Sequence, residues 1–209
     1  MHLLIITGNE KEVAGCFQPA AGLHISFFPD ADSLPAADAC LDLAFDYRPL
    51  RLQKLAAASI PLIFIHAVKD TLAGLPSHFI RINAWPGFLN NPVIEAAATD
   101  EPVKKQAAAL LALLGKKTEW VPDITGLITP RILCTIINEA YYALQEGVST
   151  REEIDAALKN GTNYPYGPFE WAEKIGLMQV YELLAELGKE HIRYTPCELL
   201  KTEAIASGD

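Results

Sequence analysis

Through the first half of the chain the apolar residues come in short runs without helical period. Leu3-Leu4-Ile5-Ile6 is one such run, suited to a strand covered on both faces. Leu23-His24-Ile25-Ser26-Phe27-Phe28 is a second, ended by Pro29-Asp30, and Ala39 to Phe45 a third, with a composition that also suits a helix. Pro61-Leu62-Ile63-Phe64-Ile65, Phe79-Ile80-Arg81-Ile82 and Glu119-Trp120-Val121 complete the predicted strands. Between them, Arg48 to Ser59 reads as a helix. Val103 to Leu114 reads as an Ala- and Leu-rich amphipathic helix stopped by Gly115, a residue suited to a left-handed C-terminal cap. This alternation predicts a parallel, doubly wound sheet.

Beyond Pro122 the pattern turns helical. Arg131 to Gln145 places Ile132, Cys134, Ile136, Ile137, Ala140, Tyr141 and Leu144 on one broad face, and Gly147 ends it. Ser149-Thr150 followed by Glu153 has the form of a capping box, opening a helix from Arg151 to Lys159. Pro168 to Ile175 and Leu177 to Leu187 are two more helices, punctuated by Gly176 and Gly188, and the tail from Lys201 to Asp209 is expected to fray. The predicted organisation is therefore an α/β domain over residues 1–122 and an all-helical domain over residues 123–209.

Charge and composition narrow the classes of function. The formal net charge of -9 over 209 residues, with no basic stripe, argues against binding a nucleic-acid backbone. No apolar run approaches the ~20 residues needed to cross a bilayer. Met1 to Thr7 lacks the basic region and small-residue cleavage site of a secretory signal, so it reads as a buried strand. Cys16, Cys40, Cys134 and Cys197 lie far apart with no C-x-x-C pair, as expected for reduced thiols in a cytoplasmic protein. No His, Cys, Asp and Glu grouping has metal-ligand spacing, so no metal is expected.

The segment from Asp123 to Phe169 carries the most specific signal. It contains Gly126, Arg131, Asn138-Glu139-Ala140, Glu146-Gly147-Val148, Ile154-Asp155, Gly161 and Gly167-Pro168-Phe169 in one register. It resembles the C-terminal half of the 3-hydroxyacyl-CoA dehydrogenases. Arg193-Tyr194-Thr195-Pro196 with Leu199-Leu200 resembles the family's ending, and the resemblance runs from about Asp38 onward. It implies a shortened Rossmann-like NAD-binding domain followed by a helical domain like that at the C-terminus of 6-phosphogluconate dehydrogenase. A homodimer formed through the helical domain is also implied, with NAD as cofactor and an acyl-CoA-type ligand.

The resemblance also implies site residues, and here the chain departs from the family's pattern. The family's catalytic pair is a His in a G-x-H-F-F-N-P turn and a Glu twelve residues on; the corresponding residues are Asn83 and Glu95. An amide has no proton equilibrium near neutral pH and cannot replace an imidazole as general base. Where the family carries Ser-Asn-Thr-Ser-Ser, the chain has His66-Ala67-Val68-Lys69-Asp70, and the family Asn before the helix Arg falls on Pro130. His66 becomes the alternative base at a strand's carboxyl end, and Lys69 with Lys54 a candidate contact for a phosphorylated ligand. After the first strand, Thr7-Gly8-Asn9-Glu10 offers only Gly8 for a dinucleotide-binding turn, with Asp30 or Asp32 as the ribose-binding acid. Tyr164, Tyr166 and Phe169 would pack against an acyl chain or a second subunit. The expectation is a divergent homologue weak or inactive as an NAD-linked dehydrogenase. The alternatives are an active oxidoreductase on an altered acyl-CoA-like substrate, with His66 or Glu95 as base, and a non-catalytic partner subunit.

Overall fold

The computed structural model describes residues Met1–Ser207, and these divide into two compact units, Met1–Leu127 and Ile128 onward. The first unit holds seven strands: β1 (His2–Ile6), β2 (His24–Phe28), β3 (Ala39–Asp42), β4 (Ile63–His66), β5 (Phe79–Ile82), β6 (Val93–Ala97) and β7 (Lys117–Trp120). Its helices are α1 (Glu10–Ala14), α2 (Pro49–Ala57) and α3 (Glu101–Leu113). The strands form one sheet in the order β2-β1-β3-β4-β5-β6-β7.

The short apolar runs become strands because both faces of the sheet are covered. Leu3, Ile5, Leu41, Phe64, Ile80 and Ile82 turn to one face, where Val13, Phe17, Leu110 and Leu114 pack on them. Their neighbours Leu4, Ile6, Cys40, Ile63, Ile65 and Phe79 turn to the other, against Leu55 and Ile60. The period of two splits each continuous run between two cores. Asp100 caps α3, its carboxylate accepting from Val103 N at 3.0 Å.

Three expectations are corrected here. The third strand stops at Asp42, and Leu43–Phe45 turn away from it. The sheet is not wholly parallel, because β6, a strand the apolar pattern did not predict, runs antiparallel to β5 with Ile82 opposite Ala96. The connection between β5 and β6 has no room for the crossover helix that parallel strands require, so the chain doubles back. Finally, the predicted strand at Glu119–Val121 begins earlier, at Lys117, and pairs parallel with β6.

The first unit continues past Pro122 because Arg81 ties the following segment to the sheet. Its guanidinium is fully buried, and Nη1 bonds Asp123 Oδ1 at 2.6 Å. Nε donates to Ala67 O, and Nη2 to Val68 O and Ile124 O. The other Asp123 oxygen accepts from Leu72 N at 2.8 Å. A buried cation is tolerable only when its donors are met in this way.

The second unit is all helical: α4 (Thr129–Gln145), α5 (Arg151–Thr162), α6 (Pro168–Ile175), α7 (Leu177–Gly188) and α8 (Glu198–Ser207). The capping box forms as read, with Thr150 and Glu153 satisfying each other's amides. The tail does not fray through Ser207. It forms α8, which buries Leu200 and Ala204 against the unit's core, while Gly208 and Asp209 lie outside the described residues. Asn138, buried on α4, clamps the chain before α8 by donating to Thr195 O at 2.9 Å and accepting from Cys197 N at 2.8 Å.

Candidate functional site

In an open α/β sheet ligands gather at the carboxyl ends of the strands, where the strand order reverses. Here β2 lies on one side of β1 and β3 on the other, so the turns after β1 and β3 flank the reversal point. Gly8 lies in the first of these, exposed, with no atom within 4 Å of a built β-carbon. The first turn of α1 then carries Glu10 and Glu12, and Asn9 caps it, its side chain accepting from Glu12 N. A pyrophosphate needs free amides at a positive helix end. Two carboxylates and an occupied amide on a five-residue helix oppose one, so this turn does not fit the diphosphate of NAD.

The candidate ribose-binding acids are engaged elsewhere. Asp30 Oδ1 accepts from Asp32 N at 2.9 Å, and Asp32 pairs with Lys54, so Lys54 is already neutralised by a carboxylate. Both acids line a cleft of about 250 Å³ with Arg48 and Arg51. Arg51 grips the fully buried Asp42 at the end of β3 with bonds of 2.7 and 2.6 Å. Burial pushes the Asp42 carboxyl up, and Arg51 opposes that rise. Lys69 lies half-buried in the bend after β4.

The sheet brings His66, Asn83 and Glu95 to one region. His66 ends β4 beside Ile82 in parallel register, and Asn83 follows Ile82. One rung beyond the antiparallel pair Ile82 and Ala96 is Asn83 opposite Glu95, so the twelve-residue spacing between them is the length of the β5–β6 hairpin connection. Asn83 is 4% exposed, and its Oδ1 accepts from Trp85 N at 3.1 Å. The His66 Nδ1 accepts from Ala84 N at 3.0 Å. Burial pushes the His66 imidazole down to about 4, against a raising contribution from its backbone bond to Ile82. The ring is therefore neutral near pH 7, with its basic nitrogen already committed.

Tyr164, Tyr166 and Phe169 do not form one surface. Tyr164 is exposed, Tyr166 packs edge-on against Trp171 at 4.8 Å, and Phe169 is buried against Tyr141 and under the Arg151 guanidinium at 4.8 Å. Phe169 and Tyr141 border a 640 Å³ cleft that also includes Arg151 and Glu203. Arg151 Nη1 donates to Tyr141 Oη at 3.2 Å, and Tyr141 Oη donates to Glu203 at 3.1 Å. Sequence reasoning missed this network and the buried Arg81. An Arg inside the apolar run Phe79–Ile82 was the available signal for the latter. Among the described residues no group of three or more His, Cys, Asp or Glu could hold a metal ion, and no helix is long and apolar enough to cross a membrane.

Comparison with known proteins adds the following. Residues 126–207 match the family model of the 3-hydroxyacyl-CoA dehydrogenase C-terminal domain. The chain is 40% identical over 131 residues to a 3-hydroxybutyryl-CoA dehydrogenase of Bradyrhizobium diazoefficiens, covering 60% of this chain and 44% of that protein. It is 37% identical over 117 residues to the 3-hydroxyadipyl-CoA dehydrogenase of Escherichia coli K12, covering 54% of this chain and 24% of the relative. Among solved structures it is similar to the (S)-3-hydroxybutyryl-CoA dehydrogenase of Ralstonia eutropha, with a TM-score of 0.72 at 27% identity over 89% of this chain and 70% of that one. The chain thus spans less than half the length of these two curated relatives.

Proposed function

This chain belongs to the 3-hydroxyacyl-CoA dehydrogenase family, and from that premise we propose that it is a divergent member that binds an acyl-CoA-type thioester but is inefficient or silent as an NAD-linked dehydrogenase. One observation carries this reading. Asn83 occupies the position the family resemblance assigns to the catalytic His, and the nearby imidazole of His66 is held neutral with Nδ1 occupied. General-base catalysis typically contributes ~10²- to 10⁴-fold, and neither side chain supplies it near neutral pH. The carboxylates Glu10 and Glu12 in the first turn of α1 support the cofactor half of the reading.

The test is a steady-state assay of the purified 209-residue protein with 3-hydroxybutyryl-CoA and NAD, and in reverse with acetoacetyl-CoA and NADH. Turnover is expected to fall at least about a hundredfold below that of an active family member. Turnover comparable to that of an active member overturns the proposal, and reading His66 or Glu95 as base would then replace it.

The helical unit's role in this reading is to join two copies of the chain. Ile132 stands exposed on α4, one turn before Ile136, and Val148 is 69% exposed. Val148 and Ile136 line an apolar groove of about 480 Å³ with Ala140, Ala143, Ile154, Ala157 and Leu158. An exposed apolar face of this kind supports an interface with a second copy.

A further inference from the structure

The sheet ends differently at its two edges. At one, β7 presents the exposed side chains of Lys117 and Glu119. Charges so placed keep an edge from pairing with another chain. At the other, β2 reads His24-Ile25-Ser26-Phe27-Phe28, with no Lys, Arg, Asp, Glu or Pro inside it. Among the described residues no strand lies beyond β2, and Ile25, Phe27 and Phe28 are each only partly buried.

The backbone of β2 fixes what this edge offers. His24 N donates to Met1 O at 2.9 Å, and Phe28 O accepts from Thr7 N at 3.0 Å. A residue in a parallel ladder turns its N–H and C=O to the same side, so His24, Ser26 and Phe28 face β1. Ile25 and Phe27 therefore turn both groups away from the sheet. Their side chains lie on the face that carries Val13 and Phe17, whereas Phe28 lies on the face that carries Leu55.

We propose that the outer edge of β2 pairs antiparallel with the same edge of a second copy, about a two-fold axis through Ser26. The strand is self-complementary in that register. Ile25 of each copy stands opposite Phe27 of the other, and antiparallel strands bond in such reciprocal pairs, so every outward N–H and C=O is met. A slip of one residue sets outward groups against inward ones. The two-fold keeps each face on its own side, so Ile25 packs on Phe27 of the second copy as an aliphatic–aromatic cross-strand pair. The exposed His24 comes diagonal to the exposed Asp30 that follows the other β2, an imidazole beside a carboxylate. Two five-residue strands bury far less than the ~1,200 Å² of a stable interface. The contact is therefore concentration-dependent, dissociates on dilution, and is separate from the α4 face and from the acyl-CoA reading.

The test places a thiol on the axis or off it, in the full chain carrying Ile132→Glu so that the α4 face contributes nothing. Facing residues of a non-hydrogen-bonded antiparallel pair have Cα atoms ~4.5 Å apart, within reach of a disulfide. Ser26→Cys meets its own mate at that distance. His24→Cys stands opposite Phe28 of the other chain, so its own mate is ~14 Å away and out of reach. Position 24 is the more exposed of the two, so random collision would favour it, and the native thiols are common to every protein compared. After oxidation of concentrated protein, a non-reducing gel is expected to show about fivefold or more covalent dimer from Ser26→Cys than from His24→Cys or the Ile132→Glu parent. Peptide mass mapping should find the link between the two introduced thiols. Cross-linking by Ser26→Cys no greater than by His24→Cys overturns the proposal. So does an Ile132→Glu parent whose mass in sedimentation equilibrium stays that of one chain at millimolar concentration.

Discussion

The Asp155 carboxylate occupies the place where a β-carbon on residue 167 would stand, so only Gly167 fits against it. From there Asp155 accepts from Phe169 N at 2.9 Å and Glu170 N at 3.2 Å, capping α6 from a neighbouring helix. Two pieces of the family's sequence pattern, Ile154-Asp155 and Gly167-Pro168-Phe169, are therefore one structural device. Gly167→Ala is expected to lower stability by about 1–3 kcal/mol through overpacking. Asp155→Ala should cost about 0.5–2 kcal/mol through loss of the cap. Chemical denaturation monitored by circular dichroism measures both, and wild-type stability in Gly167→Ala would contradict the close approach.

Arg81 and Asp123 should be unequal partners. Arg81→Met removes the donor to three carbonyls and leaves Asp123 partly exposed, whereas Asp123→Asn leaves a fully buried guanidinium without the Asp123 carboxylate. Breaking a buried pair from one side typically costs about 3–5 kcal/mol, so Asp123→Asn is expected to be the more damaging change. Denaturant midpoints of the two variants, compared at equal m-value, decide the order.

His66 predicts a loss of stability toward acid. Its folded-state value of about 4 lies below the ordinary unfolded value near 6.5. Below pH 6.5 the unfolded chain binds this proton and the folded chain does not, so stability is complete above that pH and declines as the pH falls toward 4. The contribution lost is at most ~3 kcal/mol. In His66→Asn this part of the decline should vanish from melting curves taken between pH 4 and 7; an unchanged slope would show that other groups carry it.

The α4 face should govern association. Ile132→Glu, at a position 55% exposed, places a charge on the apolar stripe without touching the unit's core. A dimer by light scattering that becomes a monomer in this variant is the expected result. A monomeric unmodified protein would remove the proposed interface.

Thiol reactivity should separate two buried cysteines from Cys16. Burial pushes the Cys40 thiol up to about 12, with Asp42 adding to the rise, and raises Cys134 as well. Cys16 is also raised by burial, but it is partly exposed and Lys116 opposes the shift. A thiol reagent applied to the folded protein should label Cys16 well before Cys40 and Cys134, as peptide mass mapping would show.

What the sequence determined by itself was local. Runs such as Leu3–Ile6 and Ile63–Ile65 carry enough adjacent apolar residues to demand cover on both faces, and the Thr150/Glu153 box opens its helix from four residues alone. The sequence also placed Asn83 twelve residues before Glu95, where the family resemblance implies a His, and that remains an expectation of the resemblance. Only tertiary structure decided what depends on contacts between distant segments. It decided that β6 runs antiparallel, because the connection before it has no room for a crossover helix, and that Lys201–Ser207 is a helix, because Ala204 and Leu200 find a core to bury in. It also decided that the nitrogen by which His66 would act as a base is spent on Ala84 N, eighteen residues away. Local pattern records which residues prefer burial or a turn, whereas the partner that satisfies a buried donor or acceptor is set by the fold that brings the two together.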